Sequence, residues 1–516
     1  MAPPPLCLCC VSPPFIHTAS NGCWAAGGAS NSPSDPLVQL CLSRDGVMSE
    51  ASLMQLNNPT TFTERKFFSV RHQEVMTDGS DFVAHVFFLF SISADQRQTA
   101  LESLQCHFTW DLDCTRSVLL LLRDKLEDIG SEEGHRWLGH IYNLRGFIQH
   151  KLGLHDDAQR LFNQAAEAFH RMRHADQGPW LVVNYGNLAW LHHHLGDQEQ
   201  SQAYLSQVDA LKEEYPPPSQ GELHAEVCAE KAWTLVLSGG DSKMAAGLFG
   251  RAAGMQPDMV EWATSHAIGL MKTQRFHLRK IRQAMDRDPE NLYLAVLYLE
   301  KRAKTKDRVG YEAREFARNN LAPLSRSYPA FRVLLRVYKN HCSVDEAIKL
   351  AEEALRQHPD QRFLKKFAAL CYKWKIIDQE IDCPSQETMN RAISLQKDVV
   401  SLYPHTALMK KIDLASLCAK SDLHQAEAEQ IFEELLQTDL EPAEKQILYN
   451  AYAKYLYFEQ DDSSGSIDYH MMAAEIPVKS YIRRGSIGVL SKIRDRGQDP
   501  RCQEIKEFLE NLEEPV

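Results

Sequence analysis

No stretch of this sequence approaches the ~18 continuous apolar residues that a membrane-crossing helix requires. The longest apolar run, Val83 to Ile92, is too short and carries a histidine. The amino terminus, MAPPPLCLCCVSPPF, has neither the basic start nor the apolar stretch of a secretory signal. Together these absences predict a cytoplasmic protein. The motifs of phosphate-binding loops, dinucleotide folds, zinc proteases and serine hydrolases are also missing. The glycine-rich SGGDSK, Ser238 to Lys243, falls where a turn between two helices is expected. His192 to His194 lie at a helix end and cannot put three imidazoles on one face, which reads as a solvated turn. Nothing combines a nucleophile, a base and an orienting group. The expectation is a protein that is not an enzyme and needs no cofactor. Thirteen cysteines is an odd number, and the CLCC of Cys7 to Cys10 lacks zinc-ligand spacing, so reduced thiols and no metal site are expected. An overall basic surface is lacking too: the formal net charge is −12.

Strand-type alternation is scarce, and this absence points to what is present. From Thr99 onward apolar spacing of helical type is nearly continuous. Residues 1–97 differ: they are rich in Pro, Ser, Gly and Asn and are read as a disordered extension. The run VFFLFSIS resembles a translated splice-acceptor tract, so the native start is placed near Ser93 as a hypothesis. An intact upstream peptide in the mass spectrum of the endogenous protein would refute it. The all-α region is placed at 98–516.

Within that region small residues recur at fixed offsets. One unit has Gly146, Gly153, Ala158, Phe162 and Ala165. Another has Trp233, Gly240, Ala245, Phe249, Ala252 and Pro257. A third has Leu335, Ala347, Ala351, Ala354 and Pro359, and a weaker one Ala189, Gly196 and Leu205. Ala252–Pro257, Ala284–Pro289 and Ala354–Pro359 share one spacing. Such units match the ~34-residue tetratricopeptide repeat, two antiparallel helices with small residues where they touch. No unit buries its apolar face alone, so the units must stack into a superhelix. Proline at the end of each unit is expected to stop one helix and to sit in the first turn of the next.

The charge is unevenly placed. Trp262 to Asn340 holds 17 Lys+Arg against 7 Asp+Glu, a net +10, and the rest of the chain carries −22. In this repeat type the first helix of each pair lines the groove. Arg332, Arg336 and Lys339 share one helix face, Lys366 and Lys373 recur seven apart, and Ile268 and Lys272 are one turn apart. Trp233 and Tyr293 lie on neighbouring helices. Cations converging with aromatic faces suit the phosphates and bases of a single-stranded nucleic acid. Trp233 reads equally well as a packing residue. A scaffold gripping a protein or peptide carboxylate would also use groove Lys and Arg, and remains the alternative reading.

LESLQCHFTWDL, Leu101 to Leu112, brings in a known family. With YGNLAWLHHHLG, IRQAMDRDPENLYLAVL and FRVLLRVYKNHCSVDEAIKLAEEAL, it resembles the interferon-induced proteins with tetratricopeptide repeats. The resemblance runs from about Leu101 to at least Pro477. It implies a helical solenoid around a positively charged channel. It also implies an innate antiviral role: binding single-stranded viral RNA at a non-self 5′ end, a triphosphate or an incompletely methylated cap, and blocking translation. Family members or translation and innate-immune proteins would be further partners, in homo- or hetero-oligomers. Carried over by position, the RNA-contacting set is Trp233, Ile268, Lys272, Tyr293, Arg332 and Lys366, with Arg336 added from the helix-face argument. Three positions depart. The phosphate-binding lysine of the family aligns with Leu237, and a channel glutamine with Phe367. A phosphate contact from the first helix falls on Asp124 or Lys125.

Overall fold

The computed structural model describes residues 95–130, 135–175, 177–219, 221–272, 278–304, 308–378 and 384–512, with the side chain of Lys272 outside that set. The extension read over 1–97 therefore lies outside the described residues up to residue 94. From Leu101 the chain forms one compact unit, and no strand occurs among its described residues.

Helix α1 (Arg116–Ile129) precedes a series of antiparallel pairs. The first four are α2 (Leu138–Lys151) with α3 (His155–Arg173), α4 (Val182–His194) with α5 (Gln198–Glu214), α6 (Ala225–Ser238) with α7 (Ser242–Met255), and α8 (Val260–Lys272) with α9 (Leu278–Arg287). Then come α10 (Leu292–Lys304) with α11 (Gly310–Leu324), α12 (Tyr328–His341) with α13 (Val344–Gln357), and α14 (Arg362–Lys373) with α15 (Gln386–Leu402). The last are α16 (Ala407–Ala419) with α17 (Gln425–Leu436), α18 (Pro442–Glu459) with α19 (Ser463–Glu475), and α20 (Tyr481–Arg496) with α21 (Cys502–Glu510). This is the repeat solenoid the spacing predicts.

Local chemistry sets the boundaries. In SGGDSK, Gly239 takes the left-handed conformation that closes α6 (φ 81°), and the Asp241 carboxylate accepts from the Lys243 and Met244 amides to start α7. Gly153 and Gly196 hold positive φ at the equivalent turns, where a side chain would be strained. Within pairs the small residues set the approach: a Cβ at Gly146 would lie 2.6 Å from the Phe162 ring. Ala158, Ala165, Ala347, Ala351 and Ala354 are fully buried.

The repeat-end prolines differ from expectation. Pro257, Pro289 and Pro359 lie in the connecting turns, before α8, α10 and α14 begin at Val260, Leu292 and Arg362. The preceding helices are closed by backbone bonds instead, such as His358 N–H to Ala354 O at 3.0 Å, so proline acts beyond the last helical hydrogen bond. The histidines of Leu191–Leu195 lie at the end of α4, as expected, and make ring contacts there. His192 stacks on Tyr204 and pairs with Asp197 at 3.3 Å, and His194 stacks on His150 with centroids 4.9 Å apart. His194 is exposed and His192 and His193 are half-buried, so these ring contacts sit at a largely solvated helix end.

The core is serial. One apolar cluster joins α1 through α7 to Trp262, the next runs from Ala267 to Tyr403, and a third from Ile376 to Leu456. Each repeat thus buries its face against its neighbours, as stacking requires.

Candidate functional site

The first helices α6, α12 and α14, and the turn that leads into α16, share one partner, α1. Its Lys125 Nζ donates to the Leu237 carbonyl of α6 at 2.9 Å. Three residues further along, the Asp128 carboxylate, whose side chain is fully buried, accepts from Arg362 Nε (2.8 Å) and Lys366 Nζ (2.7 Å) of α14. It also accepts from the Tyr403 hydroxyl at 2.6 Å. Glu127 holds Arg362 Nη1 at 2.5 Å. Asp124 accepts from the Thr406 hydroxyl, in the turn that leads into α16. The helix α1 therefore lies along the face lined by first helices, with Lys125 on the α6 side and the carboxylates on the α14–α16 side. Lys125 thus stands at Leu237, and Asp124 points towards Thr406.

The predicted contact residues are distributed along this face. Trp233 is 9% exposed and stacks on Trp137 at 5.8 Å with planes 11° apart, so it is chiefly a packing residue. Ile268 is half-buried against the second core. The side chain of Lys272 lies outside the described residues. Tyr293 is half-buried on α10; burial raises its phenol pKa, with the Arg336 and Arg332 charges on α12 close enough to oppose that rise. Arg336 Nη2 pairs with Glu300 at 2.9 Å, while its Nε meets no hydrogen-bond partner among the described residues. Arg332, also half-buried, makes no hydrogen bond or ion pair with any described residue. So Tyr293, Arg332 and Arg336 come together, and Lys366 stands apart with Asp128. Lys339 lies over the Trp374 ring at 4.7 Å, and Lys373 pairs with Asp413 at 2.5 Å. Phe367 is core: it is 2% exposed and stacks on Tyr328.

Sequence reasoning missed Arg362, Tyr403, Lys410, Glu127 and Asp128, and named Asp124 only as an alternative to Lys125. The only available signal was spacing, with Asp124 and Asp128 one turn apart, as are Arg362 and Lys366. The two pairs are 238 residues apart in sequence, and no local pattern joins them. Three cations surround the Tyr403 ring: Arg362, Lys366 and Lys410 lie 4.1, 4.8 and 4.9 Å from its centroid. Burial, with Lys366 adding to it, lowers the Lys410 ammonium to about 8. Burial and the Asp128 charge raise the Tyr403 phenol far above its usual range, so it stays a donor.

A second polar cluster joins α2, α4 and α6. Asn143 donates to Glu230 at 2.9 Å and accepts from Asn184 at 2.8 Å. Burial pushes Glu230 up to about 8 and Glu226 up to about 7, the latter despite Arg173 at 2.8 Å. Among the described residues no three His, Cys, Asp or Glu side chains are placed to hold a metal ion. No described helix is long and apolar enough to cross a membrane.

A tetratricopeptide-repeat family model matches residues 137–214. The antiviral innate immune response effector IFIT1 of Macaca fascicularis is 27% identical over 431 residues, covering 78% of this chain and 89% of that protein. Human IFIT1 is 25% identical over 456 residues, covering 82% and 94%. Human interferon-induced protein with tetratricopeptide repeats 2 is 25% identical over 449 residues, covering 81% and 93%. This chain is a homologue of the interferon-induced proteins with tetratricopeptide repeats. The solved human IFIT1 dimer with m7Gppp-AAAA shares its fold at a TM-score of 0.58 and 24% identity, over 80% of this chain and 95% of that one. The IFIT1 dimer with PPP-AAAA aligns at a TM-score of 0.55.

In this homologue the CHFTW box is structural. Cys106 and His107 are buried, the His107 amide donates to Asn187 Oδ1 at 3.1 Å, and His107 Nε2 lies 3.2 Å from the Thr234 hydroxyl. The box thus ties the segment before α1 to α4 and α6. Burial lowers His107 to about 3, so the imidazole is neutral.

Proposed function

We propose that this protein is an antiviral effector that binds single-stranded RNA on the face lined by its first helices. The ligand is the non-self 5′ end of the strand, a triphosphate or an incompletely methylated cap, and binding blocks translation of that RNA. The contacts fall to Trp233, Ile268, Lys272, Tyr293, Arg332 and Arg336, with Lys366 entering only when released from Asp128. The observation that carries this reading is Arg332. A half-buried guanidinium without an acidic partner, beside a tyrosine and a second arginine, calls for an anion from outside. The homology supports RNA as that anion, since IFIT1 has been solved with capped and triphosphate oligonucleotides. Tyr293 adds stacking surface for bases. Lys125, held at the Leu237 carbonyl, puts a cation next to the position where the family lysine is missing. The protein acts in the cytoplasm, without catalysis.

The test is binding of one RNA carrying a 5′ triphosphate, a cap or a 5′ hydroxyl, at several salt concentrations. Tighter binding of the forms with 5′ phosphates is expected, with affinity falling by about 0.7 log units per log unit of salt for each phosphate contact. No binding of any form at low salt would eliminate the reading.

A further inference from the structure

The cations on the inner face fall into two groups. Arg332 has no acidic partner among the described residues, and Arg336 retains an unpartnered Nε. One repeat further on, Arg362 and Lys366 are fully engaged by α1, and Lys410 completes the ring of charge around Tyr403. The engagement has the form of anion recognition. Asp128 receives an arginine, a lysine and a tyrosine hydroxyl at 2.8, 2.7 and 2.6 Å, a donor set that suits a phosphate equally well. Glu127 and Asp124 take Arg362 Nη1 and the Thr406 hydroxyl, so the acids of α1 balance the cations of α14 and α16.

We propose that Asp128, supported by Glu127 and Asp124, is a built-in phosphate mimic that closes one end of the cation row and so limits how much of a single strand the protein holds. A strand lying along α10 and α12 meets Arg332 and Arg336, and then meets cations whose charge the acids of α1 already balance. Its phosphates gain no charge there, and nucleotides beyond that point add no contact. Asp128 is on this account a specificity-determining residue: it makes the site a short anion pocket instead of a continuous nucleic-acid track. The inference rests on the RNA reading above.

The experiment measures binding of RNAs of increasing length to the full chain and to Asp128→Asn, at several salt concentrations. Asparagine keeps the size and one acceptor oxygen while removing the charge. For the wild type, affinity and salt slope should stop rising after a short length. For Asp128→Asn the plateau should move to longer RNA, and the slope should steepen by about 0.7 as Lys366 meets a phosphate, while Arg362 keeps Glu127. Glu127→Gln, at an exposed position, removes one of the carboxylates on Arg362 while Asp128 keeps the other contact, so it should steepen the slope by less than about 0.7, and serves if Asp128→Asn does not fold. Unchanged plateau and slope in a folded variant, with the wild type binding, would overturn the phosphate-mimic role and leave the RNA reading standing. No binding by wild type or variants would overturn both.

Discussion

Arg332 offers the sharpest separation of ligand binding from folding. Its guanidinium is half-buried on α12 and pairs with no described residue, so removing it strands no acid. Arg336, one turn on, is the opposite case, because its loss leaves Glu300 without its 2.9 Å partner. A charge-assisted contact to phosphate is worth about 1.5–3 kcal/mol, so Arg332→Ala should weaken RNA binding roughly 10- to 100-fold. It should also reduce the salt slope by about 0.7, the share of one phosphate on a single strand. Arg332→Glu should weaken binding further for every RNA, since a carboxylate then faces the phosphates. Both variants should melt within a degree or two of the wild type, whereas Arg336→Ala should melt lower. Fluorescence anisotropy of a labelled single-stranded RNA between about 50 and 200 mM salt, beside thermal melts, reads both effects. Affinity within twofold of wild type, with the slope intact, would show that Arg332 does not face the ligand.

Two further predictions concern stability. Burial holds the Glu230 proton up to about 8, while the unfolded carboxyl releases it near 4.5. The native state then binds more protons across that window, so the contribution is full below about 4.5 and is lost as pH rises towards 8. Glu230→Gln keeps the acceptor for Asn143 without the charge. It should be more stable than wild type at pH 9 by about 2–4 kcal/mol and little different at pH 4.5 in denaturant titrations, with Glu226 retaining a smaller slope. An identical pH profile would place the ionisation elsewhere. Gly146→Ala puts a Cβ 2.6 Å from the Phe162 ring and should destabilise by about 1–2 kcal/mol despite the better helix former. Gly247→Ala, with nothing within 4 Å, should be neutral or stabilising by up to about 1 kcal/mol. Equal effects of the two would remove the steric account of the repeat.

The solenoid was legible in the sequence because its determinants are local. Gly146 against Phe162, the Gly239 turn, the Asp241 cap and the buried alanines all act within one helix pair, so they recur at fixed spacing. Periodicity also placed Arg332 and Arg336 on one face of α12, since i and i+4 residues share a face in any helix. What spacing cannot express is which charges find partners. Lys366 and Arg332 read alike as groove cations, yet Asp128 takes the first and nothing described takes the second. Their difference depends on α1 lying across α6, α14 and α16, which brings together residues 238 apart. Likewise Lys125 meets Leu237 through tertiary packing alone, and Trp233 becomes a packing residue because Trp137 stacks on it. The amino-acid order therefore determined the helices and the faces they present. The placement of α1, a non-local event, decided which of the cations remain open to an outside anion.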